Sequence, residues 1–290
     1  MSSSECAVVL TAGYGSRLFP VTAVVPKSLM PVLDRPVLHY LLADLVVAGV
    51  DDIGIVVDRD DQAIRAYVAG LPEVAATLRA RGWAHKFAPI ARAYEELAAA
   101  RFTIIEQDLT SGDYGTAVPA RLAADFVGDR SCFYLSGDDL LTAPDGGGNA
   151  VDLADLRSAA TDCLAAMQVT AVPAEQAHRY GIVELRDHGT SRRLVSLVEK
   201  SSTANGRYAN ISRYYLSPSA FRVVSEQAVN PDTGEAMITD ALLELLARGG
   251  IAVSVAGGSY FDCGSLDGWH RANVAMMAAR ESATPSISKV

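Results

Sequence analysis

The chain has 290 residues, half of them hydrophobic and 20% charged, with a formal net charge of −9 and an isoelectric point near 5.0. That length suits one large α/β domain or two small ones, and the balance is that of a globular protein. The acidic excess excludes a general surface for nucleic acid or anionic membrane, while leaving room for a local basic pocket that takes a small anion.

No uninterrupted apolar run is long enough to cross a bilayer, and the opening MSSSE lacks the basic-then-apolar pattern of a secretory leader. Cys6, Cys132, Cys163 and Cys263 are widely spaced, and no histidine stands at ligand spacing from them. They read as free thiols in a reducing compartment, not as disulfides or a zinc site. A cytoplasmic protein is expected.

The first predicted element is a strand at residues 6–12, where Ala7, Val8, Val9 and Leu10 form a short apolar run. A glycine- and proline-rich loop follows. A helix is predicted over 36–48: Leu38, Leu41, Leu42, Leu45 and Val46 share a face, Pro36 marks its start and Gly49 its end. Strands are then expected at 52–57, 102–107 and 131–136, with helices at 60–69, 72–81, 90–100, 116–124 and 151–160. The alternation implies a doubly wound parallel sheet. Strand candidates at 163–172, 180–185, 194–200 and 208–216 have little helix between them and predict an added β-rich substrate region. A helix at 239–248, a strand at 251–256 and a helix at 266–280 close the chain. The stretch APDGGGNA at 143–150 is expected to be a mobile surface loop, and residues from about 282 to 290 a frayed tail. The fold class expected is α/β: a Rossmann-like mixed, mainly parallel sheet flanked by helices. One domain is expected over 1–281, with its halves meeting near residue 160.

The loop after the first strand carries the chemistry. A glycine turn at the carboxyl end of a parallel strand sits where open α/β sheets bind ligands. Gly13 and Gly15 let backbone N–H groups approach a phosphate closely. Arg17 adds a forked donor suited to phosphate oxygens, and Lys27 a compact charge able to neutralise a leaving group. Pro20, Pro26 and Pro31 stiffen the segment that holds both cations. It is not a dinucleotide fingerprint, because Leu18 replaces the third glycine, and the spacing is not that of a P-loop.

The string from Ala12 to Val32, A-G-x-G-S-R-L-x-P-x-T-x-x-x-P-K-x-L-x-P-V, resembles the signature loop of the sugar-nucleotide pyrophosphorylases. These nucleotidyltransferases join a sugar 1-phosphate to a nucleoside triphosphate. Further segments resemble the family in the right order: EQDLTSGDYGTAV, FYLSGDDLL, RYGIVEL, LVEK, GEAMITDAL and YFDCGSLDGWHRAN. The resemblance implies that Ala12, Gly13, Gly15, Gln107 and Gly115 bind the nucleotide, and that Arg17 and Lys27 handle its phosphates in catalysis. It implies Asp139, Tyr180, Gly181, Glu199 and Lys200 around the sugar phosphate, and Asp138 and Asp262 as ligands of Mg²⁺. A helical insertion between Val68 and Phe102 resembles that of bacterial UTP–glucose-1-phosphate uridylyltransferases, which implies UTP and glucose 1-phosphate as substrates. A homo-oligomer, dimer or tetramer, is expected, with no nucleic-acid or membrane partner.

Taken singly, these residues have plainer readings. Asp138 and Asp139 cap a turn, Asp262 orients one with Gly264, Glu199 and Lys200 form a solvated pair, Gln107 ends a strand and Tyr180 is core. Their joint order favours the site. The chain departs from the family at Ser201, which stands for the proline of V-E-K-P, and at Ser212, which stands for the glycine of G-R-Y. Tyr114 and Thr116 stand where the uridylyltransferases have Leu and His. These changes surround the sugar and the nucleotide, so other substrate pairs (dTTP or CTP) stay open, as does a non-catalytic nucleotide or nucleotide-sugar sensor on the same fold.

Overall fold

The computed structural model describes residues 5–189, 191–199 and 207–283. In chain order the strands are β1 (Glu5–Leu10), β2 (Pro31–Val32), β3 (Arg35–Pro36), β4 (Asp52–Asp58), β5 (Arg101–Gln107), β6 (Ser131–Ser136), β7 (Asp139–Thr142), β8 (Ala165–Ala171), β9 (Ile182–His188), β10 (Ser191–Val198), β11 (Tyr208–Leu216), β12 (Ile251–Val255) and β13 (Ser259–Asp262). The helices are α1 (Val37–Val47), α2 (Gln62–Val68), α3 (Pro72–Ala80), α4 (Ala88–Glu95), α5 (Val118–Leu122), α6 (Ala124–Val127), α7 (Ala150–Ala159), α8 (Pro218–Ser225), α9 (Ile238–Gly249) and α10 (Leu266–Ala283).

Nine strands form one sheet in the order β5-β4-β1-β6-β11-β8-β12-β10-β9. Only β10 and β11 run against the other seven. The mixed, mainly parallel sheet expected from the sequence is therefore present. The four strands expected as an added β-rich region do not form a layer of their own. They extend the same sheet beyond β6, with β11 seated directly on β6.

The sheet is covered on both faces, so side chains on both sides of its central strands are buried, as across the middle of β1 and β6. Along β1, Cys6 and Val8 join a core built with α8 and α9 (Phe221, Val224, Leu242, Leu245). Ala7 and Val9 point the other way, onto α1 and α7 (Leu38, Leu41, Leu45, Leu153, Leu156). Cys6, Cys132 and Cys263 are buried free thiols, and Cys163 is half-buried. Helix α8 was not anticipated. Its signal is local: the Ser217 hydroxyl accepts from the Ala220 N–H, and Pro218 occupies the first helical position.

The loop 143–150 is exposed at Gly147 and Gly148 but anchored at its end. Asn149 is buried, and its N–H donates to Asp44 Oδ1 at 2.8 Å. Helix α10 runs on to Ala283. Among the described residues, no helix is long and apolar enough to cross a membrane.

Strand β1 has β4 on one side and β6 on the other, so the chain order reverses around it. Ligands of open α/β sheets bind at such a reversal, beyond the carboxyl ends of the strands. The glycine loop leaves β1 at this point, and Gly137 leaves β6 beside it. The Gly137 N–H donates to Leu10 O at 2.9 Å, and a Cβ there would lie 2.8 Å from Thr11 Cγ2.

Candidate functional site

The glycine loop is fastened at its base. The N–H groups of Thr11 and Ala12 both donate to Val56 O at 3.0 Å, and the Thr11 hydroxyl donates to the same oxygen at 2.6 Å. Gly13 and Gly15 have φ of 148° and 61°. The left-handed Gly15 lets its carbonyl accept from Thr22 Oγ1 at 2.7 Å, and a Cβ there would press on Thr22 at 3.1 Å. The chain then descends through short 3₁₀ turns at Ser16–Leu18 and Lys27–Leu29. These aim Arg17 and Lys27 at the same floor.

Two carboxylates meet them there. Lys27 Nζ lies 2.9 Å from Asp138 Oδ2. Arg17 forks onto Asp262, with Nη1–Oδ2 at 2.7 Å and Nη2–Oδ1 at 3.2 Å. The small antiparallel ribbon of β7 and β13 makes this possible: it places Asp139 opposite Asp262, so residues far apart in sequence share one spot. Gly264 closes the floor. A Cβ on it would lie 2.4 Å from Asp138 Oδ2, 2.8 Å from Arg17 Nη2 and 3.2 Å from Asp262 Oδ1.

The local field follows from burial and neighbours. Burial alone raises the Asp138 carboxyl, but Lys27, the Ser136 hydroxyl and Arg17 outweigh it and hold it below the usual carboxylate range. Burial pulls the Lys27 ammonium down, and Asp138 more than restores it, so its charge is held firmly. Among the described residues, Asp139 has no ion pair, and Arg213 only partly offsets the forces that raise it. Burial, then Asp138 and Asp262, push its carboxyl well above the ordinary range, although the Tyr260 hydroxyl donates to its Oδ1 at 2.8 Å.

Two cavities of about 400 and 430 Å³ adjoin over this floor. Arg17, Lys27, Thr116, Ser136, Ser212 and Tyr214 line both. Ala12, Gly13, Gly15, Gln107 and Gly115 line the first. Asp138, Asp139, Tyr180, Gly181, Glu199 and Asp262 line the second. Every site residue expected from the sequence thus borders one cavity or the other, except Lys200, which lies outside the described residues together with Ser201.

Details on each side fit their residues. Gln107 ends β5, is buried, and its Oε1 has no partner among the described residues. Gly115, at φ 123°, packs so tightly that a Cβ would lie 2.2 Å from Ala236 O. On the other side, a Cβ on Gly181 would lie 2.7 Å from Glu199 Oε2. Thr116, one of the departures from the family pattern, and residues not singled out from the sequence complete the walls. The Thr116 hydroxyl accepts from the Ile238 N–H at 3.0 Å and so caps α9, while Tyr260 bonds Asp139. Fully buried Arg213 lies behind the second cavity, its charge acting on Asp44, Asp139 and Asp152. Nothing in the pattern of charged residues marked it as interior.

The oxygen donors of Asp138 and Asp262 converge beside Gly264. A pair of hard carboxylates is the protein share that Mg²⁺ requires, with phosphate oxygens and water supplying the rest. These residues therefore fit the metal.

The family model for nucleotidyl transferases matches residues 6–279. A UTP–glucose-1-phosphate uridylyltransferase of Bacillus subtilis (strain 168) is 32% identical over 249 residues, covering 84% of this chain and 81% of its own. One from Pseudomonas aeruginosa PAO1 is 28% identical over 263 residues, covering 89% and 90%. The solved UTP-bound UGPase from Acinetobacter baumannii shares the fold at a TM-score of 0.79 and 24% identity, over 96% of this chain and 98% of that one. With a family model spanning almost the whole chain and a relative above 30% identity, the protein belongs to the nucleotidyl transferase family and is a nucleotidyltransferase.

Proposed function

We propose that this enzyme transfers a uridylyl group from UTP to glucose 1-phosphate, in a Mg²⁺-dependent reaction that yields UDP-glucose and pyrophosphate. The observation that carries the reading is the pair of adjoining cavities with Arg17 and Lys27 on their common floor. One cavity takes the nucleotide and the other the sugar phosphate. The relatives named for this reaction support the choice of substrates.

The reaction joins two anions. A phosphate oxygen of the sugar attacks the α-phosphorus, the new O–P bond forms, and the bond to departing pyrophosphate breaks. Charge is the obstacle, so catalysis is positioning and electrostatic stabilisation. Arg17 and Lys27 donate to the triphosphate and meet the charge that moves onto the leaving group. The backbone of Ala12, Gly13 and Gly15 wraps the nucleotide. Gln107 reads the base: its unpartnered Oε1 accepts from uracil N3–H, which cytosine lacks. Gly115 keeps that wall close. Tyr180, Gly181 and Glu199 bound the sugar, and Lys200 holds its phosphate. Burial, Asp138 and Asp262 push the Asp139 carboxyl up, which lessens its repulsion of that phosphate. Asp138 and Asp262 would hold Mg²⁺, which supplies charge neutralisation of the triphosphate when bound.

The reading includes a single catalytic domain over residues 1–281, a cytoplasmic location and a homo-oligomeric state. Pyrophosphate release, measured for UTP, dTTP, CTP, ATP and GTP against a panel of sugar 1-phosphates, tests it. UTP with glucose 1-phosphate and Mg²⁺ should be fastest. Release with another pair alone would overturn the substrates, and silence with nucleotide still bound would overturn catalysis.

The floor also yields an expected result. Gly264→Ala inserts a methyl group where Asp138, Arg17 and Asp262 already crowd. It should lower kcat/KM about 100-fold, with a melting temperature close to that of the parent. A variant with parental kinetics would show that these side chains need no such proximity.

A further inference from the structure

Strand β11 is irregular at its centre. Its register on β8 jumps from Asn210↔Val169 to Arg213↔Gln168, leaving Ile211 and Ser212 without partners on that side. Such bulges re-aim side chains and cluster near active sites. Ser212 has a φ of 53°, in the left-handed region where a Cβ is crowded and glycine fits without penalty. This chain nevertheless places serine there, on the wall shared by both cavities.

The surroundings hold the serine in place. Asn210 Oδ1 accepts from the Ser212 N–H at 3.1 Å and from the Tyr214 hydroxyl at 3.0 Å. Asn210 Nδ2 donates back to Tyr214 Oη at 2.8 Å. Tyrosine has one hydroxyl proton, and it goes to Asn210. The Ser212 hydroxyl, on the wall of both cavities, carries two acceptor lone pairs that a ligand donor can use. A costly backbone conformation, fixed by a dedicated hydrogen-bond set at a cavity wall, is what a functional constraint produces.

We infer that Ser212 is a specificity-determining residue: its Cβ narrows the sugar cavity, and its Oγ accepts a hydrogen bond from a hydroxyl of the hexose 1-phosphate. The inference rests on the reading of the second cavity as the sugar site. It names a residue whose removal changes which sugar is accepted, not whether the chemistry occurs.

The test compares the parent with Ser212→Gly and Ser212→Ala. Each is assayed with UTP against glucose, galactose, mannose and N-acetylglucosamine 1-phosphates, and UTP binding is measured separately by calorimetry. Glycine adopts this φ freely, so Ser212→Gly keeps the fold. Alanine keeps the Cβ and loses only the hydroxyl. Ser212→Ala should lower kcat/KM for the preferred sugar about tenfold with UTP affinity unchanged. Ser212→Gly should shift the ratio between preferred and larger sugars by about tenfold or more in favour of the larger. If the parent turns over but both variants keep its sugar ratios, the role given to Ser212 is wrong while the proposed function stands. If the parent binds UTP and uses no sugar 1-phosphate at all, the proposed function fails first and takes this inference with it.

Discussion

Lys27→Ala should lower kcat about 10³-fold while the KM for the sugar phosphate changes little. The reason lies in how the ammonium is held. Lys27 packs beneath the glycine loop, 2.9 Å from Asp138, in a position that leaves it little freedom. Its charge survives burial only because Asp138 offsets the lost solvation. A fixed charge in a poorly hydrated site stabilises a transition state more than a mobile one in water, since nothing must reorganise as the reaction proceeds. Stopped-time assays of pyrophosphate release, with titration of UTP binding alongside, separate turnover from affinity. A variant retaining turnover within threefold of the parent would remove Lys27 from the mechanism.

The second large effect concerns stability. Arg213→Met should cost about 3–5 kcal/mol near pH 8, because it strips a fully buried cation from the carboxyls of Asp44, Asp139 and Asp152. Arg213 is 1% exposed, and its Nε and Nη1 have no hydrogen-bond partner among the described residues. It is there as a charge facing Asp44, Asp139 and Asp152. Asp44 shows the balance: burial pushes its carboxyl up to about 6, Asp152 adds to this, and Arg213 and the Asn149 N–H oppose it. A carboxyl raised in the folded state binds more protons folded than unfolded. Stability from this group is therefore greatest at low pH and declines as pH rises from about 4 to about 6. Without Arg213 the folded value climbs further, and the decline continues above pH 6. The gap in melting temperature between parent and variant should thus widen from pH 5 to pH 8. A gap independent of pH would mean that Arg213 contributes packing alone.

Much of the fold was legible because its signals are local. The apolar run of β1 and the three-and-four spacing along α1 fall where the periodicity placed them. The glycine loop stood out because glycines, prolines and two cations rarely combine without a reason. The convergence of Asp138 with Asp262 was harder to foresee, since it depends on the pairing of β7 with β13, a long-range event that neither short strand encodes by itself. Arg213 and Asp44 were invisible for a different reason. Charged residues are read as surface, and the cost of burying them is repaid only by partners brought from α1, α7 and β11. Ser212 was noticed as a departure from a family pattern, but only the backbone shows that the serine occupies a conformation suited to glycine.

The pairing on the floor has a consequence for the empty enzyme. Arg17 and Lys27 are matched one to one by Asp262 and Asp138, and Asp139 is held toward its neutral form, so the floor presents little net positive charge to an arriving anion. Under the proposed function, a bare triphosphate must break both ion pairs and leave two carboxylates facing its phosphates. Bound with a divalent ion, which Asp138 and Asp262 would hold, the triphosphate would leave those carboxylates compensated and Arg17 and Lys27 free for phosphate oxygens. Under that function the floor would act as an ion exchanger that favours metal-complexed over bare nucleotide.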